Sequence, residues 1–158
     1  MHNLSFAVRI ATQGLVGFGQ APGTVATLLV IPLVYFLGGL SLSFFSYLCI
    51  SILLLCAGTV IVHKALPSFN EADPSAIVLD EMVCFLFVFM GIPISAMSLI
   101  IGFGLFRFFD IVKPFGITYC ERLPGAWGVI ADDFVAALMS NAVLHILMYG
   151  WYVYCCVH

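Results

Sequence analysis

The chain has 158 residues, of which 63% are hydrophobic and only 8% are charged. This composition, with a mean hydropathy of +1.18, is typical of membrane proteins and argues against a water-soluble globular domain. A formal net charge of −3 and the lack of a basic run argue against nucleic-acid binding and leave lipids as the expected partners. We expect residues 1–158 to form a single membrane-embedded domain, and the first 24 residues lack the pattern of a cleaved signal peptide.

Four apolar stretches predict an all-α fold, an integral membrane helical bundle. They comprise residues 25–40, 42–62, 82–106 and 134–157. The last three are long enough to cross about 30 Å of hydrocarbon as helices, whereas the first is short and contains Pro32, so we expect it to be kinked or shallow. Every charged residue except Arg9 falls in two connectors, residues 64–81 and 107–133, and function is expected there.

The third apolar stretch, residues 82–106, contains Gly91-Ile92-Pro93 near its centre. Proline removes a backbone donor and disfavours helix in the residue before it, so we predict that this stretch turns back as a helical hairpin. Both charged connectors would then lie on one face of the membrane, and all five cations would share the cytoplasmic side, as the positive-inside rule prefers. The alternative is a kinked but complete span, which membrane helices tolerate.

Two pairs of adjacent acids, Asp80-Glu81 and Asp132-Asp133, lie beside apolar stretches, where carboxylates are costly. If the two pairs come together, they offer the oxygen ligands that Mg²⁺ takes alongside water and phosphate oxygens. Neighbouring helical residues project about 100° apart, so we expect one acid of each pair to bind the metal and the other to hold water or orient a ligand. The alternative is that the acids only stabilise helix starts.

Arg107, Asp110 and Lys113 are spaced three residues apart, which places them on one face of a helix. Arginine can bind two phosphate oxygens at once, lysine supplies a point charge, and Asp110 can orient the arginine or join the metal shell. The triad predicts a cationic clamp for phosphate, with a structural ladder of salt bridges as the alternative.

Two further segments predict local structure close to these residues. Residues 14–24 are rich in glycine and end in Thr24, so they can present backbone N–H groups and a hydroxyl to an anion. Asp73 followed by Pro74 predicts a capped helix start that leads into the first acid pair.

The sequence contains no motif for a covalent phosphatase nucleophile. It has no C-x5-R loop, no D-x-D motif, no arginine and histidine set of the phosphohistidine-forming lipid phosphatases, and no aspartate run of the CDP-alcohol phosphotransferases. The four histidines are scattered, and His145, within an apolar stretch, is expected to be hydrogen-bonded and structural. We therefore favour a metal-activated water over a covalent nucleophile.

Four motifs occur in order along the chain. They are Ala21-Pro22-Gly23-Thr24, the segment from Asp73-Pro74 to Asp80-Glu81, the run Phe106-Arg107-Phe108-Phe109-Asp110-Ile111-Val112-Lys113-Pro114, and the segment from Leu123-Pro124-Gly125 to Asp132-Asp133. Together they resemble the bacterial phosphatidylglycerophosphatase A family, and the match covers most of the chain. The chain departs from the family pattern at Ala26, Cys84, Gly116 and Ala126.

The resemblance implies a magnesium-dependent membrane enzyme that hydrolyses phosphatidylglycerophosphate to phosphatidylglycerol and phosphate. It further implies a location in the bacterial cytoplasmic (inner) membrane, with the active site on the cytoplasmic face. We expect the catalytic, metal-binding residues to be Asp80, Glu81, Asp132 and Asp133, and the substrate-binding residues to be Thr24, Arg107, Asp110 and Lys113. The alternatives are a small cation or phosphate transporter, which requires charges within its spans, and a purely structural membrane subunit.

Overall fold

The computed structural model describes residues 6–71, 74–114, 117, 119–120 and 123–157. Over these residues the fold is all-α, as predicted. The α-helices are α1 (Phe6–Ala11), α2 (Pro22–Gly39), α3 (Phe44–Ala65), α4 (Leu79–Phe85), α5 (Ala96–Val112) and α6 (Ala126–Val157), and 3-10 turns occur at Val16–Phe18, Leu66–Ser68 and Leu86–Phe89. Asp73 and Gly116 lie outside the described residues.

Among the residues that the structure describes, three helical segments are long and apolar enough to cross a membrane: α2, Phe44–Ser68 and Ala126–Cys156. The first stretch is longer than predicted, because α2 starts at Pro22 and continues through Pro32 for 18 residues, while a kinked or shallow position stays a prediction. Pro22 lies at the start of the helix, where its missing N–H is no loss.

Residues 82–106 form the predicted hairpin, and the alternative of one complete span is wrong. α4 continues into the 3-10 turn, the chain reverses at Gly91, and α5 returns alongside. Gly91 has a φ of +75°, in the left-handed region that glycine adopts without strain. The two arms pack against each other, and the ring centroids of Phe85 and Phe106 are 5.4 Å apart.

Polar side chains from neighbouring helices bind the carbonyls that the hairpin turn leaves outside a regular helix. Asn141 of α6 donates hydrogen bonds of 2.9 Å to two of these carbonyls. Tyr47 of α3 donates to the Leu86 carbonyl at 2.9 Å, and His145 Nε2 lies 3.1 Å from the Met90 carbonyl. An unsatisfied carbonyl is costly in an apolar environment, so these contacts stabilise the turn. The prediction of a structural His145 is confirmed.

The starts of α4 and α6 both differ from the predicted positions. Pro74 does not begin a helix, because residues 74–78 form a turn that ends where the Val78 N–H donates to the Ala11 carbonyl at 2.9 Å. α4 starts at Leu79, so the first acid pair lies in its first turn, where the helix dipole favours carboxylates. α6 starts eight residues before the apolar stretch that predicted it, so the second acid pair lies inside the helix. A role in stabilising a helix start is therefore wrong for the second pair.

The first arm of the hairpin lies at the centre of the core. Residues 83–89 are all apolar and buried, and they pack against α2, α3 and α6. This position of the hairpin brings four helix ends together at one end of the bundle. They are the starts of α2, α4 and α6 and the end of α5.

Candidate active site

The eight predicted site residues line one cavity of about 330 Å³ at this end of the bundle. They are Thr24 at the start of α2, Asp80 and Glu81 in the first turn of α4, Arg107, Asp110 and Lys113 at the end of α5, and Asp132 and Asp133 in α6. Ligand pockets typically measure roughly 300–1,000 Å³, so this one suits a small headgroup. The hairpin therefore brings the two acid pairs together as predicted, while the chemical role of each residue stays a prediction.

Arg107 is held between two carboxylates. Its Nη1 atom lies 2.6 Å from Glu81 Oε2 and 2.8 Å from Asp110 Oδ2. The contact with Asp110 is made within α5, whereas the contact with Glu81 joins the two arms of the hairpin. The Arg107 Nε atom is buried and has no hydrogen-bond acceptor in the part of the chain that the structure describes. The guanidinium is thus fixed in the cavity by two ion pairs.

Lys113 does not share a helical face with Arg107 and Asp110, so that part of the prediction is wrong. It follows Val112, the last residue of α5, and its φ of 45° is left-handed. A left-handed residue other than glycine is uncommon, and such residues cluster at functional sites. The Lys113 Nζ atom lies 2.5 Å from Asp132 Oδ2, which links the end of α5 to α6.

Glu81 lies against the first turn of α2. A Cβ atom at Gly23 would come within 1.9 Å of Glu81 Oε1, so only glycine allows this close approach. The Thr27 hydroxyl lies 2.8 Å from the Gly23 carbonyl and 3.4 Å from Glu81 Oε2. Burial raises the pKa of Glu81 to about 7, and the adjacent Arg107 guanidinium opposes this rise. Thr27 is absent from the predicted site, although a threonine one turn after Gly23 in an apolar stretch is a signal that could have indicated it.

Three aspartates form the deep part of the cavity. Asp80, Asp132 and Asp133 are only 4–5% exposed. Asp132 Oδ1 is buried and has no hydrogen-bond donor among the described residues. In the described ranges, no group of three or more Asp, Glu, His or Cys side chains is arranged so that all of them could bind one metal ion. Mg²⁺ usually binds through one or two carboxylates together with water and phosphate oxygens, so this set of oxygen donors fits that ion.

Two of the departures from the family motifs lie in the core beside the cavity. Cys84, three residues after Glu81, is fully buried, and its thiol lies 3.7 Å from the Ile130 carbonyl of α6. Ala126 is the first residue of α6 and is 2% exposed. Both side chains are accommodated within the packed ends of α4 and α6.

The fold and the site define an all-α bundle with membrane-length helices and a charged cavity at one end. A family model described as Phosphatidylglycerophosphatase A matches residues 9–148. The chain is 29% identical over 143 residues to Phosphatidylglycerophosphatase A of Escherichia coli (strain K12), covering 86% of this chain and 82% of that protein. It is 34% identical over 145 residues to Phosphatidylglycerophosphatase A of Haemophilus influenzae, covering 85% of this chain and 86% of that protein. No solved structure matches the chain.

The chain therefore belongs to the phosphatidylglycerophosphatase A family. The predicted family and the prediction of an enzyme, a phosphatase, are confirmed. This membership favours the phosphatase over the transporter and the structural subunit.

Proposed function

We propose that the protein hydrolyses the terminal phosphate monoester of phosphatidylglycerophosphate in a Mg²⁺-dependent reaction at the cytoplasmic face of the bacterial inner membrane. The observation that carries the proposal is the convergence of two acid pairs, Arg107 and Lys113 on one cavity. The names of the two relatives supply the lipid substrate, and the three apolar membrane-length helices suit an enzyme whose substrate stays in the bilayer.

The balance of charge in the cavity supports a bound cation. Five carboxylates line it, whereas Arg107 and Lys113 supply the positive charge among the described lining residues. A phosphate monoester is itself anionic, so it would be repelled by this excess of negative charge at close range. One or two of Asp80, Asp132 and Asp133 would hold Mg²⁺ together with water and phosphate oxygens, and the bound ion would lower the pKa of a water and offset negative charge on the phosphate.

The side chains around the aspartates have distinct roles in this proposal. Arg107 and Lys113 neutralise the non-bridging phosphoryl oxygens as charge redistributes during the reaction. Glu81 and Asp110 hold the guanidinium of Arg107, and the 2.6 Å contact of Glu81 with Arg107 favours this orienting role over direct metal binding. Thr24 and the free N–H groups in the first turn of α2 bind the phosphate at the positive end of that helix.

The overall reaction consumes one water molecule. The oxygen of the water forms a bond to phosphorus, and the bond between phosphorus and the glycerol oxygen breaks. The glycerol oxygen leaves with a proton, which gives phosphatidylglycerol, and the water oxygen remains on the released inorganic phosphate. No covalent enzyme intermediate is required, in agreement with the lack of a nucleophile motif.

Phosphate release from phosphatidylglycerophosphate by the purified protein tests the proposal. We expect EDTA to abolish release and added Mg²⁺ to restore it. Asp133→Asn should lose about 100-fold or more in kcat, because a metal site supplies several kcal/mol of transition-state stabilisation. Glu71→Gln, at an exposed position outside the cavity, is the matched control and should keep wild-type activity. Full activity in EDTA or in Asp133→Asn would refute the metal assignment, and no release by the wild type would refute the substrate.

A further inference from the structure

An apolar groove of about 320 Å³ lies between α2 and α5. It is lined by Leu28 and Ile31 of α2 and by Ala96, Leu99, Ile100 and Phe103 of α5. Leu99 is buried, whereas Leu28 and Ile100 are 48% and 72% exposed. The groove is therefore open along the outer surface of the bundle, and one of its walls, α2, is long and apolar enough to cross a membrane.

The groove and the charged cavity share the same two helical walls. α2 contributes Thr24 to the cavity and, one turn further along the same face, Leu28 to the groove. α5 contributes Arg107 to the cavity and, one turn before it, Phe103 to the groove. Because α2 begins at the cavity and α5 ends there, the two helices are antiparallel, and their groove residues face each other. At 1.5 Å per residue, the groove runs from about 6 Å to about 16 Å from the cavity.

We propose that this groove holds the first part of one acyl chain of the lipid whose phosphorylated headgroup occupies the cavity, an inference that rests on the proposed function. The headgroup must enter a cavity lined by carboxylates, but an acyl chain cannot remain among charged groups and has to leave along an apolar surface. The groove between α2 and α5 is such a surface, and it begins one helical turn from Thr24 and Arg107.

The groove acts by orienting the substrate rather than by hydrophobic affinity. Lipid tails are as apolar as leucine, so moving a chain from the bilayer into the groove yields little hydrophobic free energy. A chain held in line with the cavity instead keeps the phosphate aligned with Arg107 and the aspartates.

A second apolar groove, between α5 and α6, provides an internal comparison. It measures about 430 Å³ and includes Leu147 and Trp151. Leu147 lies 14 residues after Asp133, or about 21 Å along α6, so this groove does not adjoin the cavity. Both grooves are large and apolar, but of these two only the groove between α2 and α5 lies next to the cavity. We therefore assign the acyl chain to that groove.

Kinetics with two chain lengths test the inference. Leu28→Trp narrows the groove one turn from the cavity, and Leu147→Trp places the same side chain in the second groove as the matched control. With dipalmitoyl phosphatidylglycerophosphate, we expect kcat/KM of Leu28→Trp to fall about tenfold, while Leu147→Trp stays at the wild-type value. With the dibutanoyl lipid, whose four-carbon chains are too short to fill the groove, both variants should match the wild type. The inference would be overturned if kcat/KM of Leu28→Trp did not fall with the dipalmitoyl lipid, or if it fell equally with both lipids. A wild-type protein that is inactive on both lipids would instead refute the proposed function.

Photolabelling of the wild-type protein avoids any effect of the substitution on folding. Phosphatidylglycerophosphate with a diazirine on its acyl chain is illuminated before turnover, and the labelled peptides are mapped by mass spectrometry. We expect labels on the groove residues of α2 and α5, and several-fold weaker labelling there by phosphatidylglycerol with the same chain. Equal labelling by the two probes, or labels spread evenly over the lipid-facing helices, would overturn the inference.

Discussion

The close approach of Gly23 to Glu81 allows a direct test of how the site is assembled. In Gly23→Ala, the new Cβ would lie 1.9 Å from Glu81 Oε1 and 2.2 Å from Oε2, whereas ordinary contact begins near 3.4 Å. The carboxylate must therefore move by about 1.5 Å, and its 2.6 Å contact with Arg107 Nη1 cannot persist unchanged. A displacement of 1 Å can cost about 100-fold in rate, so we expect kcat for phosphate release to fall about 10- to 100-fold.

The fold should survive this substitution, which separates the catalytic effect from a loss of stability. Alanine is a better helix former than glycine by about 1 kcal/mol, and the displaced atoms are the end of a flexible side chain. Gly104→Ala in α5 is the matched control, because a Cβ there meets nothing within 4 Å. Both variants are assayed for phosphate release and for thermal unfolding in the same detergent. A wild-type kcat in Gly23→Ala would refute the orienting role of Glu81.

A double variant adds a second criterion. Glu81→Asp shortens the acid by one methylene and draws its carboxylate back from the space that a Cβ at position 23 would occupy. If Gly23 matters only through Glu81, the double variant Gly23→Ala/Glu81→Asp should be no slower than Glu81→Asp alone. Additive losses would show that alanine at position 23 acts on the phosphate subsite of α2 directly.

Three further predictions address the cavity, the hairpin and the topology. Lys113→Met removes the cation that lies 2.5 Å from Asp132 Oδ2, so we expect kcat for phosphate release to fall about tenfold or more. A kcat within twofold of the wild type would show that Lys113 does not take part in binding the phosphate. Asn141→Leu removes two hydrogen bonds to carbonyls of the hairpin turn. Reversible denaturation should show a free energy of unfolding that is lower by about 1–3 kcal/mol. An unchanged free energy would show that Asn141 does not stabilise the turn. In a cysteine-free protein in sealed, oriented vesicles, an impermeant maleimide should label Glu71→Cys and Ser41→Cys from opposite sides, because Phe44–Ser68 lies between them, and labelling from one side would contradict a spanning α3.

The bundle and the hairpin could be predicted because they depend on local chemistry. Long apolar stretches form helices in lipid whatever their neighbours, since every backbone polar group must be satisfied internally. Gly91 and Pro93 break such a helix at a fixed point, and the convergence of the two acid pairs follows from that break. The start of α6 was not predictable in this way. Gly125 and Gly128 are typical of a loop, yet Ala126, Val129 and Ile130 are buried against the core, and this packing overrides the weak helical preference of the glycines.

The ion pairs inside the cavity depend on three-dimensional register, which sequence spacing does not specify. Adjacent acids such as Asp132 and Asp133 have almost the same local chemistry, so the sequence cannot indicate which of them faces Lys113. Asp132 contacts Lys113 because of how the hairpin arms pack against α6. The left-handed backbone of Lys113 also turns its side chain away from Arg107 and Asp110. Glu81 contacts Arg107 for the same reason, because the arms are aligned by the packing of buried aromatic rings.

The hairpin couples the stability of the bundle to the geometry of the site. Its turn lies in the apolar part of the bundle, where Tyr47, Asn141 and His145 hold the exposed carbonyls. Its two arms carry Glu81 and Arg107 at the opposite end, so the hydrogen bonds at the turn and the 2.6 Å ion pair hold the same pair of arms together from both ends. Loosening the turn should therefore loosen the ion pair, and Asn141→Leu should lower kcat as well as stability, although Asn141 lies about 12 Å along α6 from Asp133. If stability falls while kcat is unchanged, packing between the arms alone sets the position of Arg107.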